Sequence, residues 1–83
     1  MTNQKSLNQQ NFKQLICEAR GLMGLTQEEF AAEVGVTYTT VNRWENGHAK
    51  PSKLAVRRII QILQQMDEPG QGLLAKYSLE SKS

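Results

Sequence analysis

The chain has 83 residues, 39% of them hydrophobic and 6% aromatic, with a formal net charge of +2. That length allows one small domain and favours a compact helical bundle over a fold with a roomy catalytic cleft. The single Cys17 suits a reducing compartment, no apolar run approaches the ~20 residues of a membrane span, and the polar N-terminus has no signal-peptide core, so a cytoplasmic protein is expected.

Residues 1–10, MTNQKSLNQQ, are polar and Asn/Gln-rich and read as a flexible arm. From Asn11 the apolar residues Phe12, Leu15, Ile16, Ala19, Leu22 and Met23 recur at helical spacing, and Gly24 supplies a stop. Cys17 falls off that face and is expected to be partly exposed and chemically idle. Thr26-x-x-Glu29 has the form of a capping box and opens a second helix that Gly35 ends. Thr37 is the natural N-cap of a third helix, which Asn46-Gly47 terminates. HAKPS reads as a loop, because Pro51 cannot continue a helix and restricts Lys50 before it. Ser52 then caps a fourth helix reaching about Met66, apolar over more than half its circumference. DEPGQG reads as a break and Gly70-Gln71-Gly72 as a flexible turn, followed by LLAKYSLESKS. Leu73, Leu74, Tyr77 and Leu79 have no evident core of their own and point to a short fifth helix or interaction segment. The expected organisation is an arm (1–10), a helical domain (11–66) and a tail or short interaction helix (67–83), within an all-α bundle of four to five helices.

The stretch TQEEFAAEVGVTYTTVNRWENG carries the function. Phe30, Val34, Val36, Val41 and Trp44 supply a shared apolar seam, Ala31 lets two helix backbones approach, and Gly35 makes the turn. Two short helices crossing steeply through such a turn form a helix-turn-helix. On the second of them Val41 and Trp44 share one side, while Tyr38, Thr39, Asn42 and Arg43 gather opposite. Those side chains suit nucleic acid: Arg pairs with guanine O6/N7, Asn with adenine N6/N7, and Thr offers its methyl to thymine. A polar outer face is also what any surface helix shows, so the chemistry matters here only within the helix-turn-helix. Residues 26–47 hold one Arg against four Glu, whereas residues 48–66 hold Lys50, Lys53, Arg57 and Arg58 with no acid. A short charge cluster usually means a solvated face; its place directly after the third helix favours phosphate contact.

LTQEEFA, GVTYTTVNRWENG and the following KPS resemble the phage-repressor/Cro helix-turn-helix superfamily over roughly residues 11–66. The resemblance implies that Thr37 to Thr40 enter the major groove, with Asn42 and Arg43 one turn later. The expected base contacts are Thr37, Tyr38, Thr39, Asn42 and Arg43. It further implies phosphate contacts from Gln27, Thr40, Asn46, His48, Lys50 and Lys53, and a structural ion pair between Arg20 and Glu45. The partner is then double-stranded DNA, with a homodimer on a palindromic operator.

Enzymatic chemistry has little support. One His and one Cys cannot supply a four-ligand zinc site, and Glu28–Glu29 reads as a helix start without a convergent second group. Neither a cofactor nor a metal is expected. Two functions remain: a sequence-specific transcriptional regulator, most simply a repressor, and an antitoxin that binds a toxin through Leu73–Leu79 while autoregulating its operon.

Overall fold

The computed structural model describes residues 9–79, so most of the arm expected over residues 1–10 lies outside the described residues, as do residues 80–83 at the end of the tail. Five helices follow one another: α1 (Gln9–Met23), α2 (Gln27–Val34), α3 (Tyr38–Glu45), α4 (Lys53–Gln64) and α5 (Asp67–Lys76). No strand occurs among the described residues. The first helix starts two residues before the expected Asn11.

Local chemistry sets the helix ends. Thr26 Oγ1 accepts from the Glu29 amide at 3.1 Å while Glu29 Oε1 accepts from the Thr26 amide at 2.9 Å, so two otherwise orphaned donors of α2 are satisfied reciprocally. Gly35 closes α2 at φ 91°, a left-handed conformation that costs glycine nothing, and its amide donates to the Ala31 carbonyl. Thr37 and Ser52 cap α3 and α4 by accepting from the amides of Thr40 and Ala55.

The helices enclose one core. Phe12, Leu15, Ile16 and Ala19 of α1 meet Phe30, Ala31 and Val34 of α2, Val41 and Trp44 of α3, and Ala55, Ile59, Ile62 and Leu63 of α4. Ala31 is 2% exposed where α2 and α3 pack together. Two residues of the expected apolar faces turn outward: Leu22 is 40% exposed and Leu54 is 72% exposed.

The C-terminal third departs most from the sequence reading. DEPGQG is not a break but the first part of α5, and Gly70-Gln71-Gly72 is helical rather than a flexible turn. Pro69 falls in the first turn, where its missing N–H would have had no intrahelical partner. Gly70 is buried against α4: a Cβ at this position would stand 1.8 Å from the Leu63 carbonyl oxygen. Leu74 and Tyr77 do not await another chain, since they are 1% and 7% exposed within the core. The apolar surplus of α4 is thereby covered by α5, which packs on both α4 and α1.

Candidate nucleic-acid interface

Packing on α1 and α2 fixes which edge of α3 faces outward. Val41 and Trp44 enter the core at 0% and 3% exposure. On the other side Tyr38, Thr39 and Arg43 are exposed, Tyr38 at 48%. None of the three side chains has a hydrogen-bonded partner among the described residues. They are side chains held out on a rigid helix with their donors and acceptors unspent.

The other α3 residues expected to read bases stand differently. Thr37 is occupied as the N-cap: its Oγ1 accepts from the Thr40 amide at 3.2 Å and lies 2.9 Å from Thr40 Oγ1. The Thr40 hydroxyl, expected at phosphate, therefore shares that bond. Asn42 is half-buried on the side toward α2, where its Nδ2 donates to Gln27 Oε1 at 3.4 Å. Asn46 donates from Nδ2 to both the carbonyl of Asn42 at 2.9 Å and its Oδ1 at 3.1 Å.

Gln27, the first residue of α2, lies in the same seam. Its Nε2 donates to Glu45 Oε1 at 2.8 Å. Glu45 in turn accepts from Arg20 Nε at 2.7 Å on Oε2 and from Arg20 Nη2 at 3.1 Å on Oε1, a bidentate fork. Arg20 Nη1 also donates to the Leu25 carbonyl at 3.0 Å, so the guanidinium ties α1 to the entry of α2 and the end of α3. The Glu45 side chain is 8% exposed and that of Arg20 29%. Burial pushes the Glu45 carboxyl up, but hydrogen bonds from Arg20 and Gln27 together with the Arg20 charge outweigh it and hold the group below its usual range. The Arg20 guanidinium is correspondingly raised, first by its hydrogen bonds to Glu45. Burial and the nearby Glu45 charge push the Cys17 thiol up, so it is a poor thiolate at neutral pH.

A continuous polar chain thus runs Arg20–Glu45–Gln27–Asn42–Asn46 through α1, α2, α3 and the α3 cap. Sequence reasoning paired Arg20 with Glu45 and missed that Gln27 joins Glu45 to Asn42. The available signal was the pairing of a carboxamide at the start of α2 with one on the inner edge of α3.

Beyond α3, His48, Lys50, Lys53 and Arg57 are exposed, and their side chains have no partners among the described residues. Arg58 differs from them: its Nε donates to the Glu33 carbonyl at 3.0 Å, capping the end of α2. No cluster of His, Cys, Asp and Glu among the described residues has the makings of a metal site. No helix there is long and apolar enough to cross a membrane.

The helix-turn-helix family model matches residues 16–68. A relative from Methanothermobacter thermautotrophicus, described as an uncharacterized HTH-type transcriptional regulator, is 47% identical over 49 residues, covering 59% of this chain and 71% of the relative. No solved structure matches the chain significantly. The chain belongs to the Cro/C1-type helix-turn-helix family, and membership makes it a DNA-binding transcriptional regulator.

Proposed function

We propose that this chain is a sequence-specific repressor that occupies its operator by placing α3 in the major groove. The observation that carries the reading is the row Tyr38, Thr39 and Arg43, exposed and unpartnered on a helix whose opposite face is locked in the core. Arg43 makes the bidentate guanine contact, Thr39 meets a thymine methyl, and Tyr38 lies along the groove wall. Gln27, His48, Lys50 and Lys53 face the phosphates, with Arg57 extending the basic strip along α4. Thr37 and Thr40 stabilise the start of the helix and meet the duplex as part of that turn.

One recognition helix reads only a few base pairs. Useful specificity therefore takes two copies on a palindromic site with half-sites about one helical turn apart. The antitoxin reading gains no support from the fold, because Leu74 and Tyr77 are already spent in the chain's own core.

Binding-site selection from random duplex DNA tests the proposal. The expected result is a palindromic motif, with Arg43→Ala losing preference at one base position and weakening specific binding by about 1–3 kcal/mol. Lys50→Ala and Lys53→Ala should weaken matched and scrambled duplexes alike and lower the salt dependence. Unchanged base preference in Arg43→Ala would remove α3 from the reading role.

A further inference from the structure

We infer that Asn42 is a positioning residue, holding Gln27 as a phosphate donor rather than reading a base edge. The inference rests on the proposed placement of α3 in the groove and deepens it. A carboxamide has two faces of opposite character: an oxygen that a phosphate repels and a nitrogen with two N–H groups that a phosphate attracts. Gln27 presents the correct face only if its amide is held in one of two flipped orientations.

Two contacts select that orientation. Glu45 Oε1 accepts from Gln27 Nε2 at 2.8 Å, and Asn42 Nδ2 donates to Gln27 Oε1 at 3.4 Å. In the flipped orientation the Gln27 oxygen would face the Glu45 carboxylate and its N–H groups would face the donating Asn42 amide. Both contacts would then be repulsive. With the orientation set, Nε2 keeps one N–H uncommitted and the oxygen is turned to Asn42.

Asn42 is itself held. Asn46 Nδ2 donates to Asn42 Oδ1 at 3.1 Å, which commits that oxygen as an acceptor and leaves Nδ2 toward Gln27. Reading adenine needs a carboxamide's oxygen and nitrogen together on one base edge. Both ends of Asn42 are engaged within the protein, whereas those of Arg43, the next residue, are free. The two adjacent polar residues of α3 therefore have different roles, one holding the helix-start donor and the other reading the groove.

The test compares Asn42→Ala, Gln27→Ala, their double variant and Arg43→Ala by motif selection and by titration of matched and scrambled duplexes at several salt concentrations. Asn42→Ala is expected to weaken both duplexes by the same factor, about threefold to tenfold, the usual loss of one hydrogen bond. Its selected motif and salt slope should match the unaltered chain, since a neutral donor releases no counterion. The double variant should bind no worse than Gln27→Ala alone, because Asn42 acts through Gln27. Asn42→Ser, which retains a polar group too short to reach Gln27, should repeat the result and guards against a folding defect in the alanine variant. A changed preference at any base position in Asn42→Ala, or losses that multiply in the double variant, overturns the inference. If the motif still depends on Arg43, the reading of α3 survives that outcome. An unaltered chain that selects no motif overturns both.

Discussion

The two ends of the molecule are built on different principles. The helix-turn-helix consists of helices of eight residues whose ends carry their own chemistry: the capping box at Thr26, the left-handed Gly35 and the Thr37 cap. Its polar seam is joined by side-chain hydrogen bonds from Arg20 through Glu45, Gln27 and Asn42 to Asn46. By contrast, α5 has no side-chain cap, begins at Asp67 with φ 57°, and carries Pro69, Gly70 and Gly72 within ten residues. Intrinsic propensity disfavours such a helix by roughly 1 kcal/mol for each glycine. What holds it is tertiary: Leu74 and Tyr77 in the core, Gly70 against the Leu63 backbone, and the Glu18 contacts to Lys76 and Tyr77. The end proposed to meet DNA is specified locally and the opposite end by docking, so the two should break in different ways.

The largest effect is expected at Gly70. A methyl group there would fall 1.8 Å from the Leu63 carbonyl oxygen and 2.8 Å from its carbon, backbone atoms that cannot swing aside. Gly70→Ala should lift α5 from α4 and expose Leu74 and Tyr77, a loss of roughly 3–6 kcal/mol at the usual value of a large buried side chain. Chemical denaturation measures the loss. A variant as stable as the unaltered chain would mean that α5 is held without the close approach at Gly70.

The next effect belongs to the polar seam. Glu45→Ala strands Arg20, which still keeps the Leu25 carbonyl and is 29% exposed along its side chain. The cost should therefore fall below that of a fully buried pair, at about 2–3 kcal/mol. Acid reads the same contact without deleting it. The folded Glu45 carboxyl holds its proton less tightly than the unfolded one, so its stabilisation is present above the ordinary carboxylate value and disappears as pH falls through the lower, folded value. Glu18 is shifted the same way, chiefly by its hydrogen bond from Lys76, but it is far more exposed. Melting temperature should fall on acidification, and Glu45→Gln should make that limb shallower. An unchanged slope in Glu45→Gln would assign the acid sensitivity to other carboxylates.

This contrast explains what was legible in the sequence. Thr26, Gly35, Thr37 and Ser52 act on backbone groups a few residues away, so four helix starts or stops could be read from neighbouring letters. The meaning of Gly70 depends on the Leu63 carbonyl, which only the packing of α5 on α4 brings close; read locally, Pro and two Gly signal a break. Asn42 shows the same limit at the site. Helical angle placed it with Tyr38, Thr39 and Arg43, but only α2 reveals that it turns to Gln27. Periodicity identifies an outward face and says nothing about which of its edges a neighbouring helix occupies.

Smaller effects sharpen the comparison. Thr26→Ala removes the acceptor for the Glu29 amide and should cost about 1 kcal/mol, the ordinary value of an N-cap. Because α2 has only eight residues, the loss should appear as faster amide exchange in its first turn, with α5 unaffected. Protection lost equally throughout the chain would mean that α2 has no local stability of its own.

The smallest effect is expected at the ion pair between α1 and α5. Lys76 Nζ lies 2.9 Å from Glu18 Oε2, with the two side chains 58% and 40% exposed. Water screens such a pair, and ordering two flexible side chains offsets much of the attraction, so exposed pairs contribute under about 1 kcal/mol. After Lys76→Met, Glu18 Oε1 still accepts from the Tyr77 hydroxyl at 3.2 Å, and Leu74 and Tyr77 remain in the core. The denaturation midpoint should therefore move by a small fraction of the Gly70→Ala shift and should hardly respond to added salt. A large, salt-sensitive loss in Lys76→Met would show that charge, and not the fit of Gly70 and the apolar side chains, fastens α5 to the bundle.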